Sequence, residues 1–267
     1  MSCGAGQGSE KSMGWATKIA LIALLSIPGW SQGITVAAAA DLNAPLSEIA
    51  ANYQKQTGMK LKLSFGSSGN LFNQIQNGAP YDVFLSADED YPKKLIEASL
   101  AEPSSFYRYA IGRLVLWTPE SSVLDVEHRG MDTLLDPAVK KIAIANPQHA
   151  PYGRAAVAAL RHYGIYEKVA DRLVLGENVS QAAQFVESGN AQVGVVALAH
   201  ALAPTMQGKG RYWEIPADSY PTLHQAAIIL SRSSARKEAV EFLNYLKTSP
   251  ATDVFRRYGF SVPKETP

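Results

Sequence analysis

Four short stretches of the chain place small residues, glycine and hydroxyl groups where a strand would hand over to a helix. They are Ala39-Ala40-Asp41-Leu42, Gly66-Ser67-Ser68-Gly69, Ala150-Pro151-Tyr152-Gly153 and Glu177-Asn178-Val179-Ser180. The first backbone N–H groups of a helix have no intrahelical acceptor, and together they carry roughly half a positive charge. Several helix starts aimed at one point would therefore hold a dianion with no formal cation. The first two turns, and Pro151 to Gly153, contain no lysine or arginine, which fits that mode. Ser67 and Ser68 add hydroxyl donors, and Gly66 and Gly69 permit close backbone approach. Taken alone, a serine-glycine turn serves equally well as a plain helix cap. Its position directly after a strand favours the ligand role.

The elements that must position these turns follow an alternating rhythm. Ile34–Ala40 reads as a buried parallel strand and Leu42–Gln56 as an amphipathic helix closed by Gly58. A second strand, Leu61–Phe65, precedes a helix over Asn70–Gln76. A third, Val83–Ser86, leads through Asp88 as a cap into a helix over Tyr91–Ala98, with Pro92 in its first turn. Tyr107–Thr118 alternates as one long strand able to pass into a second lobe. The rhythm then repeats, with strands at Lys141–Ala145 and Val193–Ala197 and helices at Gly153–Tyr163 and Ser180–Glu187. Leu223–Ser231 reads as a strand returning to the first lobe, and Lys237–Lys247 as a closing helix. The βαβα order predicts an α/β fold of mostly parallel sheets. Ligands in such folds sit beyond the carboxyl ends of the strands.

Composition narrows the function classes. Lys11 and Lys18 precede the apolar run Ile19–Ile27, which ends in Pro28-Gly29 and small residues, the layout of a cleaved export signal over residues 1–33. That run is shorter than the roughly 20 apolar residues a spanning helix needs. The single cysteine, Cys3, lies ahead of it, so neither lipid attachment at the cleavage point nor a structural disulfide is expected. Beyond residue 33, acidic and basic residues are equal in number. Such balance excludes the electrostatic footprint of a nucleic-acid or anionic-membrane binder. A chain of this length beyond the signal exceeds one ordinary core and is expected to form two lobes.

Taken together, several segments resemble the periplasmic molybdate-binding proteins of ABC importers, class II solute receptors, across nearly all of the mature chain. They are Val36-Ala37-Ala38-Ala39-Ala40-Asp41-Leu42, Phe65-Gly66-Ser67-Ser68-Gly69-Asn70, the run from Gly78 to Asp88, Pro151-Tyr152-Gly153, and the closing Phe255-Arg256-Arg257-Tyr258-Gly259-Phe260. The resemblance implies a two-lobed class II periplasmic-binding-protein fold joined by two crossing strands. Residues 34–113 and 226–267 would form one lobe and 114–225 the other. It further implies a periplasmic monomer that binds molybdate or tungstate, uses no cofactor, and delivers its ligand to membrane permease subunits. The implied oxyanion contacts are Asp41, Ser68, Tyr152 and Val179, with Val179 acting through its backbone N–H. This chain departs from the best-known pattern at two places. Asp41 stands where many members have serine, and Ala197 stands where many have a ligand tyrosine; Tyr152 would supply the missing phenol from the opposite turn.

A carboxylate aimed at an ionised oxyanion repels it strongly in a dry cleft. Asp41 is therefore expected to cap its helix with its side chain while its backbone N–H meets the anion. In the sharper reading its carboxylate accepts a proton from a protonated oxyanion, which would select phosphate-like ligands. The same fold binding phosphate, sulfate or an organic anion is the alternative function. The five histidines show no metal-binding spacing, so no bare cation site is expected. Ser68, His149 and Asp82 nominally supply a hydrolytic triad, but no Gly-x-Ser-x-Gly elbow surrounds the serine and no enzyme activity is expected. Tyr107, Tyr109 and Trp117 share one face of their strand and read as core or hinge support.

Overall fold

The computed structural model describes residue 4 and residues 33–263. The expected export signal, with Cys3, falls almost entirely outside the described residues. Among those described, no helix is long and apolar enough to cross a membrane.

Ten strands of the described residues form two five-stranded sheets: β1 (Thr35–Ala39), β2 (Lys62–Gly66), β3 (Val83–Ser86), β4 (Tyr107–Gly112), β5 (Leu114–Pro119), β6 (Ile142–Ala145), β7 (Leu173–Gly176), β8 (Val193–Ala197), β9 (Gly210–Glu214) and β10 (Leu223–Ile229). The first sheet runs β2-β1-β3-β10-β4 and the second β7-β6-β8-β5-β9. In each, three strands are parallel and the fourth is antiparallel to both its neighbours. The two sheets with their helices make the two-lobed α/β architecture.

Burial explains the central strands. Val36, Ala37 and Ala38 of β1 are fully buried, as are Val83, Phe84 and Leu85 of β3. Such near-continuous apolar runs are what a sheet covered on both faces requires. Among the described residues, seven helices of eight residues or more flank the sheets: α1 (Asn43–Thr57), α2 (Ser68–Gln76), α3 (Asp90–Glu97), α4 (Pro151–His162), α5 (Val179–Glu187), α6 (Arg236–Leu246) and α7 (Ser249–Arg257). The apolar stripe of α1 buries Leu46, Ile49 and Tyr53, and the Tyr53 ring packs on Phe242 and Tyr245 of α6. Gly58 ends α1 in the left-handed conformation at φ 76°.

The long strand expected over Tyr107–Thr118 is two strands in different sheets, broken at Arg113. Alternation records which residues are buried but not which sheet buries them, and every residue from Leu114 to Thr118 is buried. The return strand begins beside this break, since Leu223 pairs with Gly112. Both connections between the sheets are therefore neighbours, as a hinge requires. Several helices start earlier than expected, α2 at Ser68 among them. Pro151 opens α4 two residues ahead of Gly153, where its missing N–H costs nothing. Asn178 caps α5 by accepting from the Gln181 N–H at 3.0 Å, which places Val179 in the first turn.

Candidate functional site

All four turns meet at one small cavity. It is lined by Ala39 to Asp41, Gly66 to Ser68, Ala87, Ala150 to Tyr152, and Asn178 with Val179. It leaves about 10 Å3 for the centre of a water-sized sphere, far below the roughly 300 Å3 at which pockets for drug-sized ligands begin. Among the described residues, no lysine or arginine lines it. Three α-helices and one 3-10 turn (Ala40–Leu42) open toward it, so its positive potential comes from backbone dipoles.

The side chains are held in place by their own bonds. Ser68, buried in the first turn of α2, accepts from the Ala87 N–H at 2.9 Å through its hydroxyl. One lone pair is thereby occupied and the hydroxyl proton remains for the cavity. Ser67 is the cap of α2, accepting from the Asn70 N–H at 3.3 Å. Tyr152 is buried, and its hydroxyl accepts from Gln225 Nε2 at 3.2 Å. That hydroxyl occupies space which only a glycine at 112 leaves open: a Cβ there would lie 2.3 Å from the phenol oxygen.

Asp41 is where the structure corrects the sequence reading. Its side chain does not cap a helix. It lies inside the turn Ala40–Leu42, so the cap position, with its extended backbone, falls to Ala39. The carboxylate instead accepts from Gln225 Nε2 at 2.6 Å through Oδ2, while Oδ1 is buried and makes no hydrogen bond. Burial raises its pKa from 3.8 to about 6, against the opposing pull of polar contacts from Gln225, Tyr152 and its own backbone N–H. Gln225, which sequence reasoning passed over, is the hub of this arrangement. It is fully buried on β10, and its Oε1 accepts from the Tyr109 hydroxyl at 2.7 Å. Tyr109 thus joins the polar framework of the site and is not core packing alone. The one available signal was an amide at the head of the apolar run Gln225–Leu230.

The cavity is closed by contacts between elements of the two sheets. The Gly69 N–H donates to the His149 carbonyl at 2.9 Å, and Asn70 Nδ2 to Glu177 Oε1 at 2.7 Å. Ser180 Oγ donates to the Ala40 carbonyl at 2.9 Å, and Arg154 pairs with Asp88 at 2.5 Å. His149 Nδ1 lies 2.9 Å from Ser67 Oγ and is outside the lining. Asp82 accepts from the Thr35 N–H and the Ser233 hydroxyl, so Ser68, His149 and Asp82 form no relay. Ala197 ends β8 opposite Leu114 and takes no part in the lining.

Comparison with known proteins identifies the family. The model of a family described as bacterial extracellular solute-binding protein matches residues 34–261. The chain is 37% identical over 245 residues to the molybdate-binding protein ModA of Rhodobacter capsulatus, covering 92% of this chain and 94% of that protein. It is 38% identical over 239 residues to ModA of Azotobacter vinelandii, covering 90% and 94%. The solved structure of the Azotobacter vinelandii periplasmic molybdate-binding protein superimposes with a TM-score of 0.82 at 36% identity, covering 86% of this chain and all of that one.

Proposed function

The chain belongs to the bacterial extracellular solute-binding proteins, and from that premise we propose that it captures a tetrahedral oxyanion, molybdate or tungstate, for an ABC importer. The observation that carries this reading is a small cavity where four helix starts converge with no lysine or arginine among its lining residues. Ser68 supplies a hydroxyl and a backbone N–H, Tyr152 a phenol, and Val179 and Asp41 backbone N–H groups. Molybdate and tungstate have longer metal–oxygen bonds than the S–O bonds of sulfate, so a lining of fixed donors sorts them by size. The protein performs no chemistry on its ligand. It works in the periplasm after export, as a monomer, and the closed form docks on the permease subunits. The lobes divide near residues 113/114 and 225/226, close to Arg113 and Gln225.

Titration calorimetry with molybdate, tungstate, sulfate and phosphate tests the assignment. Strong binding of the first two is expected, with sulfate and phosphate far weaker. No heat with either molybdate or tungstate would overturn it.

A further inference from the structure

The buried carboxyl of Asp41 is at odds with a lining otherwise made of donors. Its Oδ2 is engaged by Gln225 Nε2 at 2.6 Å, but Oδ1 is buried, has no partner and belongs to a residue of the cavity wall. A dianion seated against an ionised, unpartnered Oδ1 would meet a like charge at low dielectric. The same oxygen carrying a proton would instead be one more donor.

We propose that Asp41 takes up one proton from solvent as the anion binds, and that the new O–H on Oδ1 donates to an oxygen of the anion. The bond formed is Oδ1–H and the proton comes from water or buffer. Ligand and carboxyl together then carry two negative charges where three would otherwise be buried. The inference rests on the oxyanion reading above.

The surroundings single out Asp41. Tyr109 on β4 and Tyr152 on α4 face it, and burial holds both phenols protonated well beyond neutral pH. Gln225 on β10 carries no charge. Asp88, which adds to the field on Tyr109, is tied to Arg154. Tyr220, close enough to Tyr152 to act on its phenol, accepts from the Leu114 N–H at 3.1 Å through its hydroxyl. His200 shares the crevice on the outer side of the turn and is paired with Glu187 at 2.8 Å, while His149 is engaged with Ser67. The carboxyl of Asp41 already titrates near neutrality through burial. A bound dianion moves that titration further upward.

Calorimetry of the exported protein with molybdate, in two buffers of different ionisation heat, counts protons directly, because molybdate itself is a dianion at neutral pH. Uptake approaching one proton per anion is expected at pH 7.5. Affinity should fall about tenfold for each pH unit above 7 until the bound carboxyl itself ionises. Whatever molybdate Asp41→Asn binds should be taken up without a proton and with a level pH profile. Binding by the native protein without uptake would overturn the proposal and leave the oxyanion reading intact. Undiminished uptake in Asp41→Asn would place the proton elsewhere and overturn it too. No molybdate binding at any pH would overturn both.

Discussion

At the scale of single residues, the polar framework is as informative as the donors that point into the cavity. The carboxyl of Asp41 costs the ligand-free fold stability, and the sign of that cost is testable. A pKa raised from 3.8 to about 6 means the folded state holds the proton more tightly than the unfolded chain does. Its contribution is therefore most favourable below pH 3.8 and is lost as pH rises through 6, on the order of 3 kcal/mol in all. Ligand-free Asp41→Asn should be the more stable protein at pH 7.5, with its advantage shrinking steadily toward pH 4. Urea melts of both proteins across that range measure the difference, and a constant gap would refute the argument. Ser68, Tyr152 and Val179 were named from the family resemblance of their turns, and folding brings all three to one cavity. Gln225 was not legible in the sequence: its partners, Asp41, Tyr109 and Tyr152, are brought to it only by folding. The capping role of Asp41 failed for a local reason, since a 3-10 turn ahead of α1 puts Ala39 at the cap of the turn and Leu42 at the cap of the helix.

At the scale of elements, the approach of α2 to the loop before α4 depends on a missing side chain. A Cβ on Gly69 would lie 2.5 Å from the Tyr91 hydroxyl and 2.6 Å from the His149 carbonyl, and the second of these is backbone. Gly69→Ala should hold the two walls apart. Molybdate affinity should drop at least about tenfold, which corresponds to about 1.4 kcal/mol, through loss of the Gly69–His149 hydrogen bond and its neighbours. Thermal stability without ligand should change little, because neither sheet is touched. Calorimetry and a melt read the two effects apart; unchanged affinity would show that this contact does not govern closure. Most helices and central strands were legible from apolar periodicity and from glycine or proline at their ends. Strands β7 and β9, with partly exposed residues along much of their length, and helix α7 behind Pro250 were not read as elements. Edge strands such as these owe their form to pairing with β6 and β5, which periodicity does not encode.

At the scale of the whole molecule, two sheets of like order are joined where Gly112 meets Leu223, and the candidate cavity is lined by turns from both. That the chain makes two α/β lobes was legible from length and rhythm. That one long strand splits between them was not, because the choice of sheet is made by tertiary packing. One consequence follows from a pocket lined by amides and hydroxyls without ammonium or guanidinium groups. Dissolved ions weaken attraction between exposed charges beyond about 10 Å at 0.1 M, but they do not enter a closed pocket to mask buried dipoles. Molybdate affinity should therefore stay within about twofold between dilute buffer and 1 M sodium chloride, checked by equilibrium dialysis. A steep decline would show that a lysine or arginine contacts the anion. A receptor built in this way grips its trace nutrient as firmly in brine as in rainwater.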